Sequence, residues 1–178
     1  MANFVPLLFL DAHELAASLR QHTGLFDHGT PRILTIREPR NNTTEDDEDF
    51  IWRAALVKKW RELHHFLGRT RREAEKAFGP QDIGHIYLEM LDAGVRLPWA
   101  DGLSGSYAER YTRLHLALRT NPQAMMYSGA EVASPAPGWL TAVNFRVPHS
   151  AINLGDWPRV HLVVDFRKKD AVIEAEDS

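Results

Sequence analysis

No cysteine occurs anywhere in the sequence. Disulfides, thiolate metal sites and cysteine nucleophiles are thereby excluded, and a reducing, cytoplasmic setting is expected. Basic residues are not in excess: 21 Lys and Arg stand against 24 Asp and Glu, a formal net charge of −3. Binding a phosphate backbone needs a basic face, so nucleic acid is not an expected partner. Long hydrophobic runs are also missing. The apolar start, Met1 to Leu10, lacks a basic leader and meets Asp11. It is too short to span a bilayer, reads as a first strand, and gives no reason to expect a membrane partner.

What the chain does have is 44% hydrophobic residues over 178 positions, enough for one domain with a real core and hardly enough for two. Asp11 and Glu14 have capping-box spacing, with Leu15, Ala16 and Leu19 on one helical face, which predicts a helix over 11–22. Residues 31–37 alternate as a strand. The acidic stretch at 45–49 reads as a loop leading into a helix over 49–67, on the spacing of Phe50, Ala54, Val57, Trp60 and His64. Thr70 and Glu73 begin a third helix, which Gly79-Pro80 ends. Beyond Pro80 the texture changes to short alternating runs at 85–90, 111–120, 139–145 and 159–166, parted by Gly, Pro, Ser and Asn. That pattern predicts a β-barrel or jelly roll rather than βαβ units. The expected organisation is therefore one domain over 1–178. In it, 1–80 gives strands and supporting helices, 81–168 the barrel core and 169–178 a charged, flexible tail.

The last strand offers a positional argument. Side chains two apart share a face, so Arg159, His161 and Asp165 look the same way. Arg113 and His115 do the same on an earlier strand. Turned inward, an arginine needs an anionic partner, because an unpaired buried charge is costly; that partner is a protein carboxylate or a bound one. Turned outward, the same residues form a solvated polar face. His149 precedes a turn marked by Gly155 and Pro158, and on its own reads as structural.

Several elements in order carry a resemblance. They are Ala93-Gly94-Val95-Arg96-Leu97-Pro98-Trp99-Ala100-Asp101-Gly102, then Arg113-Leu114-His115-Leu116, then Gly129-Ala130-Glu131, and finally His149, Asn153 and Arg159-Val160-His161-Leu162. From about residue 84 to 166 the chain resembles the aspartyl/asparaginyl and proline hydroxylases, which are Fe(II)- and 2-oxoglutarate-dependent oxygenases.

The resemblance implies an α+β fold, a double-stranded β-helix of the jelly-roll or cupin-like kind with N-terminal helices on its outer face. It implies that Asp101 and His149 are the catalytic iron ligands and that Arg159 grips the distal carboxylate of 2-oxoglutarate. Arg113 and His115 would hold a further carboxylate, while Trp99, Asn153 and His161 would border the substrate. One departure stands out: Trp99 occupies the place given to the family's first iron-binding histidine. An indole nitrogen only donates, so the metal set is reduced to Asp101 and His149. The activity implied is hydroxylation of an amino acid or amino-acid-derived small molecule, anionic or amino-acid-like. Two alternatives remain open. One is a metal-independent isomerase, cyclase or lyase using Asp101 and His149 as an acid/base pair. The other is a noncatalytic pseudoenzyme.

Overall fold

The structure is a computed structural model that describes residues 2–20, 26–39, 50–52, 61–79, 81–102 and 106–168. In chain order the elements are β1 (Phe4–Phe9), α1 (His13–Arg20), β2 (Arg32–Pro39), β3 (Phe50–Trp52), α2 (Arg61–Phe78), β4 (Gln81–Leu91), β5 (Val95–Arg96), α3 (Ser106–Arg110), β6 (Tyr111–Arg119), β7 (Ala124–Ser128), β8 (Glu131–Ala133), β9 (Trp139–Val143), β10 (His149–Asn153) and β11 (Arg159–Lys168). Among the described residues the strands form two antiparallel sheets. The larger has the order β1-β9-β6-β11-β4-β2-β3, and the smaller the order β5-β10-β7-β8.

β11 sits centrally in the larger sheet, and its side chains show how the layers are built. Val160, Leu162, Val164 and Phe166 join one buried apolar cluster. That cluster includes Leu114, Leu116 and Leu118 of β6 and Ile86, Leu88 and Met90 of β4. Leu15 of α1 and Leu63, Phe66, Leu67 and Ala74 of α2 belong to it as well. The alternate side chains, Arg159, His161 and Asp165, are equally buried but lie on the opposite face. The strand is therefore covered on both sides, with apolar groups toward the helices and polar groups toward the other sheet. A one-residue slip would exchange the two faces, so the leucine pattern fixes the register of the polar residues. Each fully buried Leu or Phe in this layer contributes roughly 1.5–3 kcal/mol.

The four alternating runs after Pro80 form β4, β6, β9 and β11, as the sequence pattern predicts. α1 also forms, with the Asp11 carboxylate accepting from the His13 backbone N–H at 3.1 Å. The expected helix over 49–67 needs correction. Phe50, Ile51 and Trp52 form an edge strand paired with Pro39, Glu38 and Arg37. These bulky residues suit a pleated surface, and the partner strand outweighs their helical spacing. The helix predicted to begin at Thr70 is the second half of a continuous α2 that starts at Arg61. Thr70 does not cap a helix there but lies fully buried within one. The acidic stretch 45–49 and the tail 169–178 lie outside the described residues.

Candidate functional site

The polar face of β11 and its neighbours is a set of cross-strand pairs. Asp165 lies opposite Arg113, Val163 opposite His115 of β6, and His161 opposite Glu89 of β4. Residues directly opposite in an antiparallel pair share a face, so these groups converge.

At one end, Arg113 makes a two-pronged contact with Asp165: Nε donates to Oδ1 at 2.7 Å and Nη2 to Oδ2 at 2.8 Å. Asp165 is fully buried and also accepts from the Tyr107 hydroxyl. The Arg113 guanidinium lies 4.7 Å from the Phe145 ring centroid and 5.9 Å from that of Tyr87. Burial alone would lower the Arg113 pKa. The Asp165 carboxylate, with help from Tyr87 and Tyr107, holds it well above its ordinary value instead. Burial first, and then Asp165, push the Tyr107 hydroxyl up, so it stays a donor. Gly84 permits this packing, since a Cβ there would lie 2.7 Å from both the Asp165 carbonyl oxygen and the Tyr111 ring. Of the two kinds of anionic partner open to Arg113, the structure shows the protein carboxylate.

At the other end, Arg159 is 1% exposed and its Nη2 donates to Glu89 Oε1. Its Nε and Nη1 have no hydrogen-bond partner among the described residues, and neither does His161 Nε2. Such buried orphans are rare in folded proteins and call for an explanation. His161 Nδ1 lies 3.4 Å from His115 Nδ1. Burial, followed by the nearby Arg159 and His115, holds His161 well below the ordinary imidazole pKa. Burial, then Arg113, Arg159 and His149, do the same to His115. Both rings are therefore neutral, and one Nδ1 donates to the other. Whichever tautomer His161 adopts, its Nε2 faces the interior as a free donor or a free acceptor.

His149 begins β10 on the same face as the buried Ala151 and Asn153, and its Nδ1 lies 3.0 Å from the Val147 carbonyl oxygen. It is paired on both sides, with Ser128 of β7 and with Ala100. Ala100 N donates to His149 O at 2.9 Å, and His149 N donates to Ala100 O at 3.0 Å. The methyl group of Ala100 and the imidazole of His149 thus emerge on one face. Trp99, one residue earlier, is 57% exposed and its ring rests on Tyr127 with centroids 5.8 Å apart. Tyr127 pairs with Ser150, on the face opposite His149. The indole therefore lies on the rim and does not fill the space in front of His149. Asp101 is also exposed. Gly102 packs so close to the chain that a Cβ would sit 1.9 Å from the Arg146 carbonyl oxygen. Asn153 is fully buried and committed to a turn. Its Nδ2 donates to the carbonyls of Leu91 at 3.0 Å and Trp157 at 2.9 Å, and its Oδ1 accepts from Asn121 Nδ2 at 2.9 Å.

The interior thus brings Arg113, His115, His149, Arg159 and His161 toward one region, and leaves Trp99 and Asp101 at the surface. A family model for aspartyl/asparaginyl β-hydroxylases matches residues 30–169. The chain belongs to that family. Its fold is the double-stranded β-helix of the 2-oxoglutarate–Fe(II) oxygenases, and solved structures agree. A 2OG-Fe(II) oxygenase family oxidoreductase from Burkholderia pseudomallei superposes with a TM-score of 0.68 at 15% identity, covering 95% of this chain and 87% of the other. AviO1 from Streptomyces viridochromogenes Tue57 gives 0.65 at 15% identity, covering 95% and 91%. A Pseudomonas putida prolyl-4-hydroxylase gives 0.62 at 14% identity, covering 94% of each. No curated protein matches the sequence significantly.

Members of this family use Fe(II) and 2-oxoglutarate. The carboxylate half of that requirement fits here: Arg159 is buried, cationic and short of partners. The metal half does not fit. Among the described residues, no group of three or more His, Asp or Glu side chains is placed to hold a metal ion. The side chains paired with His149 are the Ala100 methyl on one side and the Ser128 hydroxyl on the other, neither an imidazole nor a carboxylate. Two residues that matter to this site, Glu89 and Ala100, are missing from the sequence reading. The alternation of Tyr87, Glu89 and Leu91 carried a signal for Glu89. Ala100 had none, because its role depends on which residue pairs with His149.

Proposed function

We propose that this protein binds a small carboxylate ligand inside its barrel, with Arg159 as the anchoring cation, and acts on an amino acid or amino-acid-derived metabolite. One observation carries this reading: a guanidinium that is 1% exposed has two nitrogens without partners, next to the free Nε2 of His161. A buried cation in that state is matched by a carboxylate that accepts from it, and guanidinium is the side chain best shaped for that contact. Family membership extends the reading to a 2-oxoglutarate-dependent hydroxylase, in which Arg159 would hold the distal carboxylate and His149 and Asp101 would be left as the metal-binding residues. The pairing of Ala100 with His149 and the exposure of Asp101 favour a second reading, in which the family's pocket works without iron. That protein is a metal-independent isomerase, cyclase or lyase, or a ligand-binding pseudoenzyme.

Calorimetric titration of the full chain with 2-oxoglutarate and succinate, with and without Fe(II), tests both readings. Carboxylate binding that Arg159→Gln weakens at least tenfold is the expected result. No carboxylate binding, or binding indifferent to Arg159, would sink the proposal. Succinate release that needs Fe(II) and is lost in His149→Ala selects the oxygenase. Binding that persists unchanged in EDTA, with no succinate formed, selects the metal-independent reading.

A further inference from the structure

The polar face of β11 is closed to solvent. Arg159, His161, Val163 and Asp165 are each 1% exposed or less, and His115, opposite Val163, is buried with them. Traffic to such groups requires part of their cover to move. The cover is not equally strong everywhere. β4, β6 and β11 are joined by long antiparallel ladders and share the leucine layer, so they part only when the fold does.

α3 is attached differently. It is five residues long, and Tyr107 and Ala108 pack with Tyr111 and Phe145 in a small cluster separate from the leucine layer. The Tyr107 ring stacks on Tyr111 with centroids 4.1 Å apart, and its hydroxyl reaches the polar face to donate to Asp165 Oδ2. A second tie comes from an exposed side chain. Arg146 Nε donates to the Ala108 carbonyl at 2.6 Å and Nη2 to that of Glu109 at 3.1 Å. Elements with few buried apolar contacts open at a lower free-energy cost than the core.

We propose that α3 is a plug over the Arg113 end of the polar interior and that Tyr107 is its latch. Release of the Tyr107 hydroxyl and of the two Arg146 contacts uncovers Asp165 and Arg113 and, two residues along β11, Val163. The leucine layer stays intact. Asp165 keeps Arg113 as its counter-charge when Tyr107 leaves, so the open state holds no unpaired buried charge. The device controls access to the interior whichever ligand the interior takes.

The lack of cysteine makes the test direct. Val163→Cys puts a thiol on the polar face and Leu162→Cys puts one in the leucine layer, both at fully buried positions. Each full-length variant is treated with a thiol reagent over a urea series below the unfolding transition. Val163→Cys should react about a hundredfold faster than Leu162→Cys, at a rate nearly independent of urea, because a local opening exposes little surface. Leu162→Cys should react only through global unfolding, with a steep dependence on urea. Adding Tyr107→Phe should speed the Val163→Cys reaction roughly tenfold, through loss of one hydrogen bond to a charged group. Arg146→Ala removes the other tie from an exposed position, should act in the same direction, and serves where Tyr107→Phe folds poorly. Equal rates and equal urea slopes for the two thiols would mean that the interior opens only with the whole fold. Fast labelling of Val163→Cys that neither variant changes would place the opening elsewhere. Either result overturns the proposal.

Discussion

Ala100 and His149 face each other as a doubly hydrogen-bonded pair, with N···O distances of 2.9 and 3.0 Å. The Ala100 methyl therefore lies on the same face of this strand pair as the His149 imidazole. The neighbouring Trp99 is exposed, with its indole resting on Tyr127.

A metal-binding experiment follows from this pair. Side chains directly opposite in an antiparallel pair have Cβ atoms about 4.5–5.5 Å apart, close enough for two imidazoles to share one ion. Ala100→His should give measurable affinity for Ni(II) or Co(II), seen as a cobalt absorption band that disappears in the Ala100→His/His149→Ala double variant. Trp99→His should give no such band. A band from Trp99→His alone would show that the pairing is misread.

The Arg113–Asp165 pair should dominate the stability of the polar interior. Asp165→Asn leaves Arg113 without a counter-charge in a buried position, and breaking a buried pair from one side costs about 3–5 kcal/mol. Urea denaturation should show a loss of that order. Tyr107→Phe removes one hydrogen bond to the same carboxylate and should cost about 1–2 kcal/mol. If both losses are small, water reaches Asp165 and the interior is wetter than its burial indicates.

Acid should destabilise the fold through His115 and His161. Burial lowers both folded-state pKa values below the ordinary 6.5, so the unfolded chain binds these protons more readily than the folded protein does. Stability therefore rises with pH in the window between the folded and unfolded pKa values, and it declines as pH falls below about 6.5. The slope is at most about 1.4 kcal/mol per pH unit for each imidazole. Thermal melts from pH 7.5 to 5 should show this decline, and His161→Gln should flatten it. An equal slope in the variant would assign the acid sensitivity to other groups.

Asn153 should matter for stability more than for ligand binding. All its polar atoms are engaged by Leu91, Asp92, Trp157, Asn121 and Gly155. Asn153→Ala leaves several buried groups unsatisfied and should cost about 2–3 kcal/mol, while the affinity for any carboxylate at Arg159 stays within about twofold. A selective loss of affinity at unchanged stability would return Asn153 to the ligand site.

The strand periods after Pro80 and the shared face of Arg159, His161 and Asp165 were legible because side-chain alternation is a local property. A leucine row on one face fixes what the other face carries. The N-terminal helices were less legible. Phe50 fits a helical spacing with Ala54 and Val57, and only the presence of β2 as a partner makes Phe50–Trp52 a strand.

The sequence by itself determined the barrel, the polar face shared by Arg159, His161 and Asp165, and the family, because each follows from patterns along the chain; that this face is buried came from the tertiary structure. Tertiary structure decided which partners those cations have. Asp165 lies 52 residues from Arg113, and Glu89 lies 70 residues from Arg159. It also decided that Ala100 stands beside His149. Strand register sets these pairings, and register depends on how whole sheets assemble around the leucine layer rather than on the residues flanking each charge.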